Sequence, residues 1–220
     1  MNLTNEESLL SLEKTISSVN GIYIGSENNK NLFYFSNVVT DSRNVVENSL
    51  FVPLVGEFQN GHIYVDQAIE KGATVIFIDS KEYESNSNKY KELTEECKNF
   101  SVIVVENTLY ALQAIAETYV EQFPNLIKVA ITGSSGKTTT KELVVSVLKQ
   151  KYNVVYTQGN FNSETGLPLS VFKIRKEHEV GVFEMGMNRQ DEIGEISKVL
   201  KPEYAIITNI GSAHIGMLGS

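Results

Sequence analysis

The run Lys128-Val-Ala-Ile-Thr-Gly-Ser-Ser-Gly-Lys-Thr-Thr-Thr140 decides how the rest of this chain is read. Val129 to Thr132 form a short, mostly apolar stretch that predicts a buried strand, and Gly133 to Gly136 then turn the chain into a helix beginning near Lys137. Strand, glycine turn and helix in that order make a phosphate-binding loop. Gly133 and Gly136 lack a Cβ, so the backbone N–H groups around Ser134 and Ser135 can approach a polyphosphate, with the positive end of the helix dipole facing it. Lys137 is placed to reach the β- and γ-phosphates, and the Thr138 hydroxyl to ligate the Mg²⁺ that accompanies a nucleotide. The common spacing is G-x-x-x-x-G-K-[ST]; Ile131 stands where its first glycine would, so the loop here is the shorter Gly133-Ser-Ser-Gly-Lys-Thr138. A glycine turn at a helix start gives the same string with no ligand. The flanking strand, and a following helix expected to carry Leu143, Val144, Val147 and Leu148 on one face, favour the nucleotide site.

Downstream, strands are expected at 128–132, 153–157, 180–185 and 204–209, alternating with helices at 137–150, 166–174 and 190–200. Connections this short imply parallel strands, whose ligands sit at the carboxyl ends. Glu184 ends its strand on that edge, where a carboxylate can hold Mg²⁺ and offset charge on a γ-phosphate; a strand-end glutamate facing solvent is the plain alternative. His214, in the turn Ile210-Gly-Ser-Ala-His-Ile-Gly216, belongs to the same edge and is a metal or phosphate candidate, although a lone loop histidine is more often a packing residue. The loop Thr157 to Pro168 supplies Asn160, Asn162, Ser163 and Thr165, neutral donors suited to a carboxylate or to phosphate oxygens, or to nothing beyond a turn.

Upstream, Leu9, Leu12, Ile16 and Val19 predict an amphipathic helix over 5–19. β-rich runs follow at 32–39 and 49–54, with Thr40-Asp-Ser-Arg43 on the turn between them. A helix at 63–71, a buried strand at 74–79, a solvated loop with some helix at 81–99, a strand at 101–105 and a helix at 108–123 complete an α/β pattern. Pro124-Asn125 is the expected domain boundary, giving domains 1–124 and 125–220.

A chain of 220 residues with 41% hydrophobic content has room for two modest domains and can bury a core. Its net charge of −8 argues against general affinity for nucleic acid. No apolar run approaches the ~20 residues that span a bilayer, and Met1 to Glu7 lack the features of a signal peptide, so a cytoplasmic protein is expected. The single cysteine, Cys97, has no partner within the chain for a disulfide.

Several of these runs together resemble the Mur ligases, most closely the MurF family. They are Thr40-Asp-Ser-Arg43, Leu50-Phe-Val-Pro-Leu-Val-Gly-Glu57 with Asn60-Gly-His62, the loop Thr132 to Thr139, Gly159 to Pro168, Glu184-Met-Gly-Met-Asn188 with Glu192-Ile193, and Ile207-Thr-Asn-Ile-Gly-Ser-Ala-His214. The resemblance implies an N-terminal UDP-binding α/β domain followed by a parallel-sheet ATPase domain. It implies an ATP-dependent ligation in which UDP-N-acetylmuramoyl-tripeptide is activated as an acyl phosphate and D-alanyl-D-alanine displaces phosphate. ATP is held by Thr132, Gly133, Ser134, Ser135, Gly136, Lys137, Thr138, Thr139 and Asn209 in that reading. Thr138, Glu184 and His214 bind Mg²⁺, with Lys137, Glu184 and His214 as the catalytic set. Asp41, Ser42 and Arg43 contact the nucleotide sugar, and Asn160, Asn162 and Thr165 contact substrate or metal.

Family members continue beyond the position of Ser220 through a lysine carbamylated in several of them and a third domain. The 220 residues are therefore expected to lack ligase activity on their own, and a monomer is expected. The alternatives are another Mur or folylpolyglutamate-type ligase, or a non-catalytic UDP-sugar-binding module.

Overall fold

The computed structural model describes residues 8–27, 29, 34–56, 59–97 and 99–211. They form two compact units, Met1–Ile115 and Ala116–Ser220. The division falls inside the helix Thr108–Val120.

In the first unit Leu10–Ser11 (β1) pairs antiparallel with Tyr34–Phe35 (β3). Among the described residues the helix expected over 5–19 occupies Leu12–Val19 (α1), because the Ser11 side chain caps it by accepting from Lys14 N while Leu10 is held opposite Phe35. Ile22–Ile24 (β2), Asn37–Val39 (β4), Ser49–Phe51 (β5), Ala73–Asp79 (β6) and Ser101–Val105 (β7) make a five-stranded sheet in the order β2-β7-β6-β5-β4. Only β2 is antiparallel to its neighbour. All five residues of β7 are buried, as expected of a strand covered on both faces. Val65–Glu70 (α2), Ser80–Glu96 (α3) and Thr108–Val120 (α4) follow their strands in the α/β rhythm.

The segment expected to be a solvated loop with some helix is instead helical over Ser80–Glu96 (α3), with a kink at Asn86, where φ is −134°. Its first turn is capped by Asp79, which accepts from Lys81 N. Tyr90, Leu93 and the C-cap Cys97 recur at helical spacing after the kink and, with Tyr83 before it, pack on the sheet, Tyr90 being fully buried. Four such residues anchor a helix whose remaining surface is charged, so average polarity gave the wrong reading.

The turn Asn60-Gly-His62 is also structural. Asn60 caps the 3₁₀ turn Gly61–Tyr64, and the buried His62 ring spans from Asn60 Oδ1 (2.6 Å from Nδ1) to Asp79 N, which donates to Nε2 (3.1 Å). The ring proton therefore sits on Nδ1. Burial pushes the His62 pKa below its usual 6.5.

In the second unit Ile127–Thr132 (β8), Val154–Tyr156 (β9), Val180–Glu184 (β10) and Tyr204–Ile207 (β11) form an all-parallel sheet in the order β11-β8-β10-β9. Lys137–Leu148 (α5), Gly166–Val171 (α6) and Glu192–Leu200 (α7) connect them. The expected apolar face of α5 is rotated. Val145 is 3% exposed, Val144 and Leu148 are half-buried, and Leu143 and Val147 are 64% and 71% exposed. The buried position one turn before Val145 is taken by Lys141, for a reason that lies in the site below.

Two stability outcomes follow from these placements. Val145→Ala should lower the unfolding free energy by about 1.5–3 kcal/mol, whereas Val147→Ala should change it by less than about 0.5 kcal/mol; urea midpoints of the two variants distinguish this helix orientation from the one expected. For His62, the unfolded chain takes up a proton near pH 6.5 while the folded ring resists it until a lower pH. Stability should therefore fall as the pH drops below 6.5 toward the folded pKa, and His62→Gln should flatten that slope in urea midpoints measured against pH.

Candidate active site

β8 delivers the chain to the glycine loop at its carboxyl end. Gly133 has φ +136° and Gly136, which precedes the first residue of α5, has φ +76°. No side chain caps α5, so its first-turn amides are directed at the loop's concave face, the usual arrangement for binding an anion. Lys137 Nζ folds back to donate to Gly133 O at 2.8 Å.

The loop after β11 braces this turn. Asn209 Oδ1 accepts from Ser135 N (2.9 Å), Asn209 Nδ2 donates to Ser135 Oγ (2.8 Å), and Thr208 Oγ1 donates to Ser135 O (2.6 Å). Ser134 Oγ donates to Gly211 O at 2.8 Å. Thr132 accepts from Thr208 N through its backbone carbonyl. Thr139 is exposed at the start of α5.

Glu184 lies at the carboxyl end of β10, opposite Ile131 of β8, and is 2% exposed. Thr138 Oγ1 donates to Glu184 Oε2 (2.9 Å), and Asn162 Nδ2 donates to Glu184 Oε1 (2.7 Å). Both partners are neutral donors, so neither brings a cationic counter-charge to the carboxylate. Adjacent ligands of an octahedral Mg²⁺, at roughly 2.0–2.1 Å from the ion, stand about 2.9 Å apart. Thr138 Oγ1 and Glu184 Oε2 have that separation. The donor set therefore fits Mg²⁺.

Of the residues expected at the site, the fold brings together Lys137, Thr138, Glu184, Asn162 and Asn209. It does not bring Asn160 or Thr165 to the carboxylate: Asn160 is exposed, and Thr165 Oγ1 lies 3.1 Å from Ser163 Oγ. His214 lies outside the described residues. Thr157 and Lys141 carry no functional signal in the sequence, yet both are buried behind Glu184; Thr157 Oγ1 accepts from Glu184 N and Lys141 Nζ donates to Thr157 O. Nothing in the sequence separates Lys141 from a surface lysine one turn along a helix.

Asp41, Ser42 and Arg43 follow β4 at the carboxyl edge of the first unit's sheet. Arg43 donates to both Asp41 carboxylate oxygens and holds its pKa at about 2. Ser42 Oγ donates to Gln67 Oε1 at 2.6 Å. The same edge carries an open cavity of about 840 Å³ between the ends of β6 and β7, lined by His62, Asp79, Lys81, Glu106 and Tyr110 among others; the Asp41–Arg43 pair is not part of it.

Residues 34–120 match the family described as the Mur ligase family catalytic domain, and residues 131–220 match the Mur ligase middle domain. The chain belongs to the Mur ligase family. Among similar proteins, the UDP-N-acetylmuramoyl-tripeptide--D-alanyl-D-alanine ligase of Treponema pallidum is 48% identical over 188 residues, which are 84% of this chain and 40% of the relative. The ligase of the same name from Bacillus subtilis is 39% identical over 83% of this chain and 37% of its own length. Of the solved structures, MurF from Acinetobacter baumannii superposes with a TM-score of 0.79 at 31% identity, covering 96% of this chain and 43% of that one. The MurF ligase from Thermotoga maritima in complex with ADP gives 0.66 at 33% identity, over 81% of this chain and 38% of that one. This Mur ligase chain thus spans about two fifths of the curated relatives it matches.

The two loop glycines of this Mur ligase should respond differently to a methyl group. An added Cβ at Gly136 meets nothing within 4 Å, so Gly136→Ala should cost only its left-handed backbone strain, about 1–2 kcal/mol. At Gly133 the Cβ would overlap Thr208 Oγ1 and stand 3.0 Å from Asn209 N, so Gly133→Ala should cost more and displace the bracing loop. Urea denaturation of both variants measures the difference.

Proposed function

We propose that this chain carries the nucleotide-sugar and ATP sites of a ligase joining D-alanyl-D-alanine to UDP-N-acetylmuramoyl-tripeptide. The observation that carries the reading is the meeting of Thr138 and Glu184 beside the glycine loop, in a chain whose relatives bear that activity in their names. The Thermotoga maritima relative was solved in complex with ADP, which supports nucleotide use by this family.

Each residue has a defined task in this reading. The loop amides and the α5 N-terminus bind the β- and γ-phosphates, with Lys137 released from Gly133 O to offset their charge. Thr138 and Glu184 hold Mg²⁺, which when bound neutralises charge developing on the transferred phosphoryl group. Asn162 fixes the Glu184 carboxylate from the opposite side. The γ-phosphoryl passes to the terminal carboxylate of the tripeptide, and the resulting acyl phosphate is attacked by the dipeptide amine; the new amide forms as phosphate leaves. Asp41, Ser42 and Arg43 contact the UDP moiety, Asp41 being kept ionised by Arg43. The reading places the protein in the cytoplasm, as a monomer.

Calorimetric titration with UDP-muramyl tripeptide, and separately with Mg²⁺-ATP, tests this. Asp41→Ala should weaken the tripeptide by about tenfold or more and leave ATP unchanged, and Lys137→Ala should do the reverse. Tripeptide binding that is absent in the wild type, beside intact ATP binding, would return the substrate assignment to the wider family.

A further inference from the structure

The last rung between β9 and β10 is irregular in a way that explains the buried lysine. Val182 stands opposite Tyr156, and Thr157 N donates to Val182 O at 3.1 Å, as a parallel ladder requires. The next rung of such a ladder would run from Glu184 N to Thr157 O. Instead Glu184 N donates to the Thr157 hydroxyl (3.0 Å), and Thr157 O accepts from Lys141 Nζ (2.7 Å). Threonine has exchanged its carbonyl for its side chain at the point where the chain leaves the sheet.

Lys141 is 1% exposed and Thr157 fully buried. Its ammonium has Glu142 at 3.0 Å and the Tyr156 ring at 5.8 Å as further company. Removing an ammonium from water is costly, and an apolar side chain would fill the same place on α5 without that cost. What the ammonium adds is a donor for the displaced carbonyl. The displaced peptide begins the loop that carries Asn162 to Glu184 Oε1, while the freed hydroxyl holds the Glu184 backbone.

We propose that Lys141 is a positioning residue for the Mg²⁺ site, acting through Thr157 on both the backbone of Glu184 and the loop bearing Asn162. It touches neither the phosphates nor the ion in this scheme. The inference rests on the nucleotide reading of the glycine loop and adds a role that the loop itself does not require.

The test is ADP binding to this chain by calorimetry, with and without Mg²⁺, for the wild type, Lys141→Met, Thr157→Val and the double variant, with folding checked by circular dichroism. Each single variant should reduce the Mg²⁺-dependent gain in ADP affinity by about tenfold or more, leave metal-free ADP affinity within about twofold of wild type, and add little to the other in the double variant. A folded Lys141→Met protein with the full Mg²⁺ gain overturns the proposal, as does one that loses metal-free affinity to the same extent. Should Lys141→Met not fold, Thr157→Val decides by the same two criteria. A wild type that binds no ADP at all overturns the nucleotide reading and this inference with it. Normal wild-type binding with unaffected variants overturns this inference alone.

Discussion

Glu184 is 2% exposed, and a carboxylate taken that far from water must find hydrogen-bond donors or a cation. Here it finds two neutral donors, Thr138 from the helix after the glycine loop and Asn162 from the loop after β9, while the backbone amide of the same residue donates to the Thr157 hydroxyl. These groups come from two crossovers of one parallel sheet, Thr138 from the one between β8 and β9 and both Thr157 and Asn162 from the one between β9 and β10. Their convergence fixes how those crossovers approach the strand ends, and it sets a buried carboxylate beside the glycine loop. The Lys141 ammonium belongs to the same arrangement, one layer further in.

The glycine loop depends on a second set of contacts of a different kind. Ser134 and Ser135 are tied to Thr208, Asn209 and Gly211 by neutral hydrogen bonds, so the end of β11 shapes the turn from outside. Gly133 is required there twice over, once for its positive φ and once because Thr208 and Asn209 leave no room for a Cβ. Gly136 is required only for its backbone angle.

In the first unit the comparable role falls to neutral and paired groups at the same edge of a sheet. His62 is held uncharged between Asn60 and the amide of Asp79, linking the turn after β5 to the end of β6. Asp41 stays charged because Arg43 grips both of its oxygens on the surface. One group is shaped by burial and the other by a partner, and their pKa values move accordingly.

The alternation of strands and helices, the glycine loop, and the placement of Glu184 at a strand end were legible in the sequence because each depends on local pattern: apolar runs, turn residues and short spacings. The same local rules failed where a residue's neighbours come from elsewhere in the chain. The helix Ser80–Glu96 reads as a polar loop until Tyr83, Tyr90 and Leu93 are seen against the sheet. The outward turn of Leu143 and Val147 was hidden because Lys141 claims the inner face of its helix for a carbonyl 16 residues away. Likewise Asn162 and Asn160 are equivalent in the sequence, and only one reaches Glu184. The sequence by itself determined which elements form and which ends of the strands carry chemistry, since those follow from periodicity and backbone stereochemistry. Tertiary structure alone decided which polar side chains meet, because a buried charge selects its partners by geometry across separate strands, which no spacing along the chain records.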